Sequence, residues 1–335
     1  MQPNQRNKET ALRLWRALDT DPASALPELT RVSHWQGPEP VGICTSAGAI
    51  IEKMFAPLRA AIPDLARQTH LFLGGDSSAH ESGQGDGTRW VAGTGYFTGH
   101  ATSPVFGIPA QDTALRIRWG EFLRFDAGGN VVHAQTILDF VDWFDQIGLG
   151  VLPPPRGAAH VYPAPTAYDG VLTEPQDPGV TAETLDFGRR FIFGGLNSFD
   201  EQDLSSMGMA RFFHPNVKWY GPGGIGACLS LAEFENLHQQ PWLRAFPDRK
   251  VMHLESLFAE DRILAASGPM GVVGTHGGPY LGHAATGRPI EVSGLDFWLR
   301  TGDRFTENWV FVDMVHLFAQ MGISLFDRMK EKARA

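Results

Sequence analysis

The sequence predicts an α+β fold that occurs twice in tandem, and three observations lead to this prediction. The tetrapeptide Trp-Gln-Gly-Pro at residues 35–38 recurs as Trp-Tyr-Gly-Pro at residues 219–222, an offset of 219 − 35 = 184. Asp139, separated by six residues from Gln-Ile-Gly, recurs as Asp313, separated by six residues from Gln-Met-Gly, an offset of 313 − 139 = 174. In both halves, helical periodicity comes before strand-like runs. This order favours helices packed on one face of a curved antiparallel sheet over βαβ units with a parallel sheet.

The repeat unit has the size of a whole domain. A unit of roughly 150–180 residues is typical of one globular domain, and the 335 residues of the chain suit about two. We predict a first copy over residues 1–151, a stiff proline-rich linker over residues 152–178 and a second copy over residues 179–335. The fall in offset gives the first copy 184 − 174 = 10 extra residues. The glycine- and serine-rich run at residues 74–87 is the expected place for them.

Each copy is predicted to contain two helices followed by long strands. Apolar residues at helical spacing predict first helices over residues 7–18 and from residue 181 or 183 to 196, and second helices over residues 47–61 and 231–245. Each second helix should end before a Pro-Asp pair, because the residue before a proline disfavours helix. The strands are predicted at residues 89–97, 115–125 and 131–140 in the first copy, and at residues 262–268, 290–300 and 305–315 in the second. Residues 126–129 and 301–303 have the composition of hairpin turns.

Composition and charge exclude several classes of function. The formal net charge of −9 argues against nucleic acid as a partner, since phosphate binding needs a basic face. No apolar run approaches the ~20 residues of a membrane span, and the first residues do not resemble a signal peptide, so we expect a cytoplasmic protein. The cysteines, Cys44 and Cys228, hold matched positions and indicate a repeated core or strand residue; a disulfide between the copies is the less favoured alternative. No spacing of cysteines or histidines indicates zinc.

Two segments of the second copy resemble a known family. The stretch from Gly274 through Thr275-His276 to Thr286, Gly287 and Pro289, together with residues 307–313 and the Gln-Met-Gly that follows, resembles the SnoaL-like polyketide cyclases. The resemblance implies the cone-shaped, cystatin-like fold of ketosteroid isomerase and scytalone dehydratase for both copies. The first copy departs from the pattern, because its histidine, His100, stands one position early. If only one copy is active, the second is therefore favoured.

The same resemblance implies ring closure by intramolecular aldol addition without metal or cofactor, and an aspartate as acid/base. That aspartate is Asp313 in the second copy and Asp139 in the first. An ionisable side chain after the apolar residues 309–312 is costly unless it is paired or functional, and burial would bring its pKa nearer to working pH. The alternative is a strand-end aspartate that caps the following helix. Arg116 and Arg118 lie across the same hairpin from Asp139, and either of them, if it faces inward, would lower the pKa of Asp139 or bind an acidic substrate.

Further candidates share the strands and the second helix. Asp296 and Glu121 hold matching places and are either second carboxylates in a cavity or solvent-facing residues, because one residue of register reverses the face. His276, as a further catalytic candidate, and His283 could donate hydrogen bonds to an enolate oxygen or could be structural. The aromatic residues that could line a slot for a flat substrate, or could instead be core, are Trp35, Trp219, Tyr220, Trp298 and Trp309. His238 and Trp242 are candidates for the mouth of the second cone.

Two functions from different classes remain open. The first is a cofactor-independent enzyme of the isomerase or lyase kind, acting on a small carbonyl-rich or polycyclic substrate by cyclisation, isomerisation or dehydration. The second is a non-catalytic small-molecule binding protein on the same fold. If the protein is an enzyme, Asp313→Asn should remove activity without unfolding the chain. If it is a binding protein, the same substitution should lower its stability and change its affinity for the ligand little. Because relatives pair through their sheets, we expect the two copies to pair within the chain, and a further homodimer is left open.

Overall fold

The computed structural model describes residues 2–111, 113–159, 161–198, 203 and 207–335. The first half contains helices α1 (Pro3–Thr20), α2 (Ala47–Ile50), α3 (Ala56–Ala61) and α4 (Phe140–Gln146), with a 3₁₀ helix at Pro22–Leu29. Its strands are β1 (His34–Gln36), β2 (Ile43–Cys44), β3 (Ala66–Asp76), β4 (Arg89–His100), β5 (Ala114–Phe125) and β6 (Val131–Leu138).

The second half repeats this order of elements. Its helices are α5 (Pro178–Gly194), α6 (Leu231–Glu233), α7 (Gln240–Ala245), α8 (Met314–Gln320) and α9 (Leu325–Arg334), with 3₁₀ helices at Leu196–Ser198 and Met209–Arg211. Its strands are β7 (Phe213–Tyr220), β8 (Ala227–Cys228), β9 (Lys250–His253), β10 (Ser256–Glu260), β11 (Ile263–Thr275), β12 (Pro289–Thr301) and β13 (Arg304–Val312).

Each half has one sheet, which confirms the predicted α+β class. The strand orders are β2-β1-β6-β5-β4-β3 and β10-β11-β12-β13-β7-β8, with β9 paired to β11. One prediction needs correction, because the sheets are not wholly antiparallel: β1 runs parallel to β6, and β7 runs parallel to β13. The strand β1 has only three residues, too few for an alternating pattern to be read from sequence.

The second helix of each half contains a π-helical turn at the same place. The turns lie at Ile51–Phe55 and Phe234–Gln239, between short α-helical segments. Pro57 and Pro241 follow them at the start of α3 and α7. Since proline has no N–H to donate, the regular ladder cannot run through it, and the preceding turn widens. The predicted helices over residues 47–61 and 231–245 are therefore real but interrupted.

The ten extra residues of the first half lie in the connection between β3 and β4. That connection spans residues 77–88, twelve residues, whereas β10 and β11 are joined by residues 261–262, and 12 − 2 = 10. The loop begins later than predicted, because residues 74–76 still pair with β4. It packs on the second half: the Ser78 N–H donates to the Leu257 carbonyl at 2.7 Å, and Arg189 donates to the Ser78 hydroxyl at 3.0 Å.

The two sheets share an apolar layer. The ring of Phe122 in the first sheet lies 5.2 Å from Phe297 and 5.9 Å from Phe258 in the second. A buried ion pair also joins the halves, with Lys8 Nζ at 2.6 Å from the Glu260 carboxylate. The cysteines Cys44 and Cys228 are both free and buried.

The segment between the halves runs along both of them. Its Tyr162 N–H donates to the Tyr96 hydroxyl at 2.9 Å, and its Leu172 N–H donates to the Phe72 carbonyl at 2.8 Å. Trp309 donates from Nε1 to the Pro163 carbonyl at 3.0 Å. The limits 152–178 for this linker stay a prediction. In the described part of the chain, no helix is long and apolar enough to cross a membrane.

Candidate active site

The second half encloses a chamber of about 190 Å³ between its sheet and its helices. Its wall is mainly aromatic and aliphatic, and includes Phe191, Phe213, Trp219, Phe234, Trp242, Val272, Trp298 and Val310. Concave sites with such walls and a few polar groups are typical of small-molecule binding. The π-helical turn contributes Phe234 and His238 to this wall.

A strand position explains why this chamber is open. Trp119 of β5 pairs with Gly95 and Leu138, and Gly294 of β12 pairs with Gly268 and Val312, so Trp119 and Gly294 hold equivalent places. A tryptophan is buried at this place in the first half, whereas Gly294 lines the chamber in the second.

A position on the first helix of each half also makes the second interior more open than the first. Buried positions 7, 10, 11, 14 and 15 of α1 recur as 184, 187, 188, 191 and 192 of α5, which makes Trp15 equivalent to Ile192. The rings of Trp15 and Trp119 lie 5.2 Å apart, and the Arg67 guanidinium lies 4.4 Å from the Trp119 ring. These three side chains fill the first interior, and at the places of Trp15 and Trp119 the second half has the smaller Ile192 and Gly294.

Asp296 is the charged side chain in the described wall of the chamber. Burial disfavours its ionised form and raises its pKa to about 7, while a hydrogen bond from the Asn308 side chain and the charge of Arg118 oppose the rise. A carboxyl group with a pKa near working pH can both accept and return a proton. The structure therefore places Asp296 inside the cavity, one of the two positions that the sequence left open.

Two side chains of the chamber wall carry buried hydrogen-bond donors. The hydroxyl of Tyr280 and the indole Nε1 of Trp298 have no hydrogen-bond partner among the described residues, although these side chains are only 3% and 4% exposed. Leaving a buried polar group unpaired costs about 1–3 kcal/mol, so a ligand with acceptor oxygens would be favoured here. Burial raises the pKa of Tyr280, which keeps its hydroxyl protonated and able to donate.

His238 adds a neutral polar group to the same wall. Its ring stacks on Trp219 with the centroids 4.1 Å apart. Burial and the nearby positive charge of Arg249 lower the pKa of His238 to about 3, so its imidazole stays uncharged at neutral pH. The sequence predicted His238 and Trp242 near the mouth of the second cone, and both line the chamber.

The two aspartates predicted as acid/base lie elsewhere, at the starts of helices. One oxygen of Asp313 accepts the His316 N–H at 2.9 Å, and the other accepts the Glu39 N–H of the first half at 3.0 Å. Asp139 accepts the Asp142 N–H at 3.1 Å and the Gly223 N–H of the second half at 2.8 Å. Burial raises the pKa of both carboxyl groups, and these hydrogen bonds oppose the rise.

This geometry favours the helix-cap alternative over the catalytic prediction for both residues. Neither Asp313 nor Asp139 lines the chamber, and both oxygens of each carboxylate are engaged by backbone N–H groups. The helix-cap alternative describes their positions better, with the addition that each cap also ties the two halves together.

Replacing Asp313 with alanine is expected to lower the free energy of unfolding by about 1–2 kcal/mol, as the loss of a helix cap does. Asp313→Asn should cost less, because asparagine retains one acceptor oxygen. Urea denaturation of the two variants measures both effects. If Asp313→Asn instead abolished proton exchange of a bound ketone at unchanged stability, the residue would act as the base after all.

Four other predicted site residues lie outside the chamber wall. Trp309 and Tyr220 face the layer between the sheets, with their rings 5.4 Å apart, because side chains alternate along a strand. His276 is fully buried with Nδ1 at 3.0 Å from the Thr286 hydroxyl. His283 lies with Nε2 at 3.3 Å from Arg328. The positions of these four residues therefore do not support a contact with a substrate in the chamber.

The remaining predicted residues divide between the halves. Trp219 lines the chamber. Trp35 is buried in the first half and donates from Nε1 to the Thr136 hydroxyl at 2.9 Å, and Thr136 donates in turn to Glu121 at 2.7 Å. The indole of Trp15 also donates to Glu121. Burial raises the pKa of Glu121, but its hydrogen bonds are made inside a filled interior.

Sequence reasoning missed Gly294, Asn308 and the hydroxyl of Tyr280. Comparing the copies position by position, Trp119 against Gly294, would have revealed the open interior. Within the described ranges, no three or more His, Cys, Asp or Glu side chains form a group that could hold a metal ion.

Comparison with known proteins matches one family. The model of the SnoaL-like polyketide cyclase family matches residues 195–321. No curated protein matches the chain.

Solved structures resemble one half of the chain at a time. A candidate SnoaL-like polyketide cyclase from Jannaschia sp. CCS1 is 14% identical and aligns over 44% of this chain and 96% of its own, with a TM-score of 0.37. IdmH, a candidate polyketide cyclase from Streptomyces antibioticus, is 20% identical over 42% and 98%, with a TM-score of 0.31. AclR, a candidate hydroxylase from Streptomyces galilaeus, is 22% identical over 42% and 82%, with a TM-score of 0.34.

Proposed function

We propose that this protein is a cofactor-independent acid/base enzyme whose active centre is the chamber, and the match of residues 195–321 to the SnoaL-like polyketide cyclase family supports this proposal. Asp296 is the acid/base, in place of Asp313. The observation that carries the proposal is a carboxyl group with a pKa of about 7 inside an apolar, aromatic cavity.

The proposed first step is removal of a proton from carbon. The Asp296 carboxylate takes a proton from a carbon next to a carbonyl group, and the negative charge moves to the carbonyl oxygen. The hydroxyl of Tyr280 and the indole N–H of Trp298 are unpaired donors in the same wall, and donors of this kind stabilise an enolate. The Asn308 side chain is hydrogen-bonded to Asp296 and would orient its carboxyl group.

The second step returns the proton. In ring closure, the enolate carbon attacks a second carbonyl of the same substrate, and the protonated Asp296 gives its proton to the new alkoxide oxygen. Double-bond migration returns the proton to carbon, and dehydration gives it to the departing hydroxyl group. Holding one flexible substrate in a folded shape provides the remaining acceleration.

The first half would serve as the pairing partner within the chain rather than as a second active centre. Its matching carboxylate, Glu121, is 1% exposed and bonded to Trp15 and Thr136. Trp119 occupies the space that Gly294 leaves open in the second half. Among the described residues, Glu121 is therefore enclosed by side chains, whereas Asp296 lines a cavity.

Proton exchange of 2-tetralone, a flat bicyclic ketone, in D₂O tests the proposal by NMR. We expect enzyme-dependent exchange whose rate rises with pH up to about 7, as Asp296 ionises. The variant Gly294→Trp, which copies the first half, should remove it, with circular dichroism as the check on folding. Saturable binding of the ketone without any enzyme-dependent exchange would refute catalysis and favour the binding-protein alternative.

A further inference from the structure

A second cavity of about 330 Å³ lies next to the chamber. Ile225, His238 and Tyr280 line both cavities and therefore stand between them. The outer cavity is called the vestibule here. Its other described wall residues are Pro153, Pro154, Arg156, Gly224, Leu237, Pro241, Pro279, Leu281 and Gly282.

The connecting segment forms one side of the vestibule and is fixed there. The Gly157 N–H donates to the Ile225 carbonyl at 3.1 Å, and the Ala158 N–H donates to the Ala227 carbonyl at 2.8 Å. Pro153 packs so closely on Gly282 that a Cβ at this glycine would come within 2.8 Å of the proline ring. The backbone on both sides of Arg156 is therefore held against the second half.

The charges of the two cavities are opposite. Arg156 is the charged residue in the described wall of the vestibule, its side chain is exposed, and no described residue pairs with it. Asp296 is the charged residue of the chamber. A guanidinium group binds a carboxylate or phosphate through two parallel hydrogen bonds, whereas an ionised aspartate repels anions.

This geometry points to an amphipathic substrate that spans both cavities. A flat, apolar ring system carrying the reacting carbonyl enters the chamber, and an anionic oxygen group at the far end stays in the vestibule on Arg156. Ile225, His238 and Tyr280 surround the part of the substrate between the two ends. The inference rests on the proposed function only in taking the chamber as the substrate site.

Two fluorescent probes of the same shape test the inference. 8-Anilino-1-naphthalenesulfonate carries an anionic group, and N-phenyl-1-naphthylamine is the neutral counterpart. For the anionic probe, Arg156→Gln is expected to raise the Kd about twofold to fivefold, as loss of an exposed ion pair does. For the neutral probe, the Kd should change less than twofold. Arg31→Gln, an exposed arginine of the first half, removes the same charge at a distance and should leave both affinities unchanged.

Further arms separate the outcomes. Displacement by 2-naphthylacetate or by 2-naphthyl phosphate tells which anionic group Arg156 prefers. Gly294→Trp should weaken both probes, and unchanged binding in that variant would place them elsewhere and overturn the inference. Equal losses for the two probes in Arg156→Gln, or no loss, would overturn it as well. Probe binding needs no proton transfer by Asp296, so a vestibule confirmed by Arg156→Gln stands even if no proton exchange is found.

Discussion

Asp296→Asn is expected to abolish enzyme-dependent proton exchange and, at the same time, to stabilise the protein at pH 8. Loss of a positioned general base lowers the rate by about 10²–10⁴-fold. Asparagine has nearly the shape of aspartate, so the chamber and its donors should keep their places. Activity is measured as deuterium incorporation into 2-tetralone, and stability as Tm against pH.

The stability gain follows from the pKa of Asp296. It rises from 3.8 in the unfolded chain to about 7 in the folded protein. Between these values the folded state binds more protons than the unfolded state, so the free energy of unfolding falls as the pH rises from about 4 to about 7. Because Asp296 faces a cavity that water can enter, we expect Asn to gain about 1–2 kcal/mol at pH 8, and little at pH 4. A gain that is equal at both pH values would contradict a buried, neutralised Asp296.

Lys8→Met is expected to cost about 3–5 kcal/mol of stability, the loss seen when one member of a buried ion pair is removed. Lys8 Nζ lies at 2.6 Å from Glu260 and donates to the Leu172 carbonyl at 2.7 Å, with exposures of 1% and 4% for the paired side chains. Burial raises the pKa of Glu260 even with Lys8 beside it. Without Lys8, a charged Glu260 would be left in the contact between the halves.

The pH and a matched control make this second prediction specific. Because protonation removes the uncompensated charge, the loss in Lys8→Met should shrink as the pH falls below the pKa of Glu260 in that variant. Arg190→Met breaks an exposed pair with Asp186 at 3.3 Å and should change stability by less than about 1 kcal/mol. Urea unfolding at pH 8 and pH 5 measures both. A loss in Lys8→Met no larger than that in Arg190→Met would show that the pair does not hold the halves together.

The repeated fold could be predicted because its markers are local. The Trp-x-Gly-Pro turns end at Gly42 and Gly226, whose φ angles of 65° and 83° favour glycine. Matched glycines in such turns, with the Pro-Asp helix stops and the hairpin compositions, define both copies without any knowledge of their contacts.

The role of Asp313 could not be predicted because two kinds of residue look the same in sequence. A catalytic aspartate and a helix cap both stand at the end of an apolar strand. The choice depends on the Glu39 N–H, which comes from the other half of the chain and takes the second carboxylate oxygen. No pattern in the sequence around Asp313 predicts that contact.

The chamber was hard to predict because it arises where the second half has small residues. Attention to large aromatics favoured Trp309, which faces the layer between the sheets, while its neighbours Asn308 and Val310 face the chamber. The difference is one residue of register, and one residue reverses the face. Gly294 and Ile192 leave the space open, and their importance becomes visible only when they are aligned with Trp119 and Trp15 of the first half.

The caps at Asp139 and Asp313 have a consequence for how such a protein can diverge. Asp139 holds the Gly223 N–H, and Arg118 donates to the carbonyls of Gly221 and Tyr220 at 2.8 and 3.0 Å, so the first half anchors a loop whose Pro222 and Ile225 line the chamber. In two identical subunits, a tryptophan that fills one interior must fill the other. Two halves of one chain are free of that constraint and can differ: here Trp119 fills the first interior, while the first half anchors a loop that lines the cavity of the second.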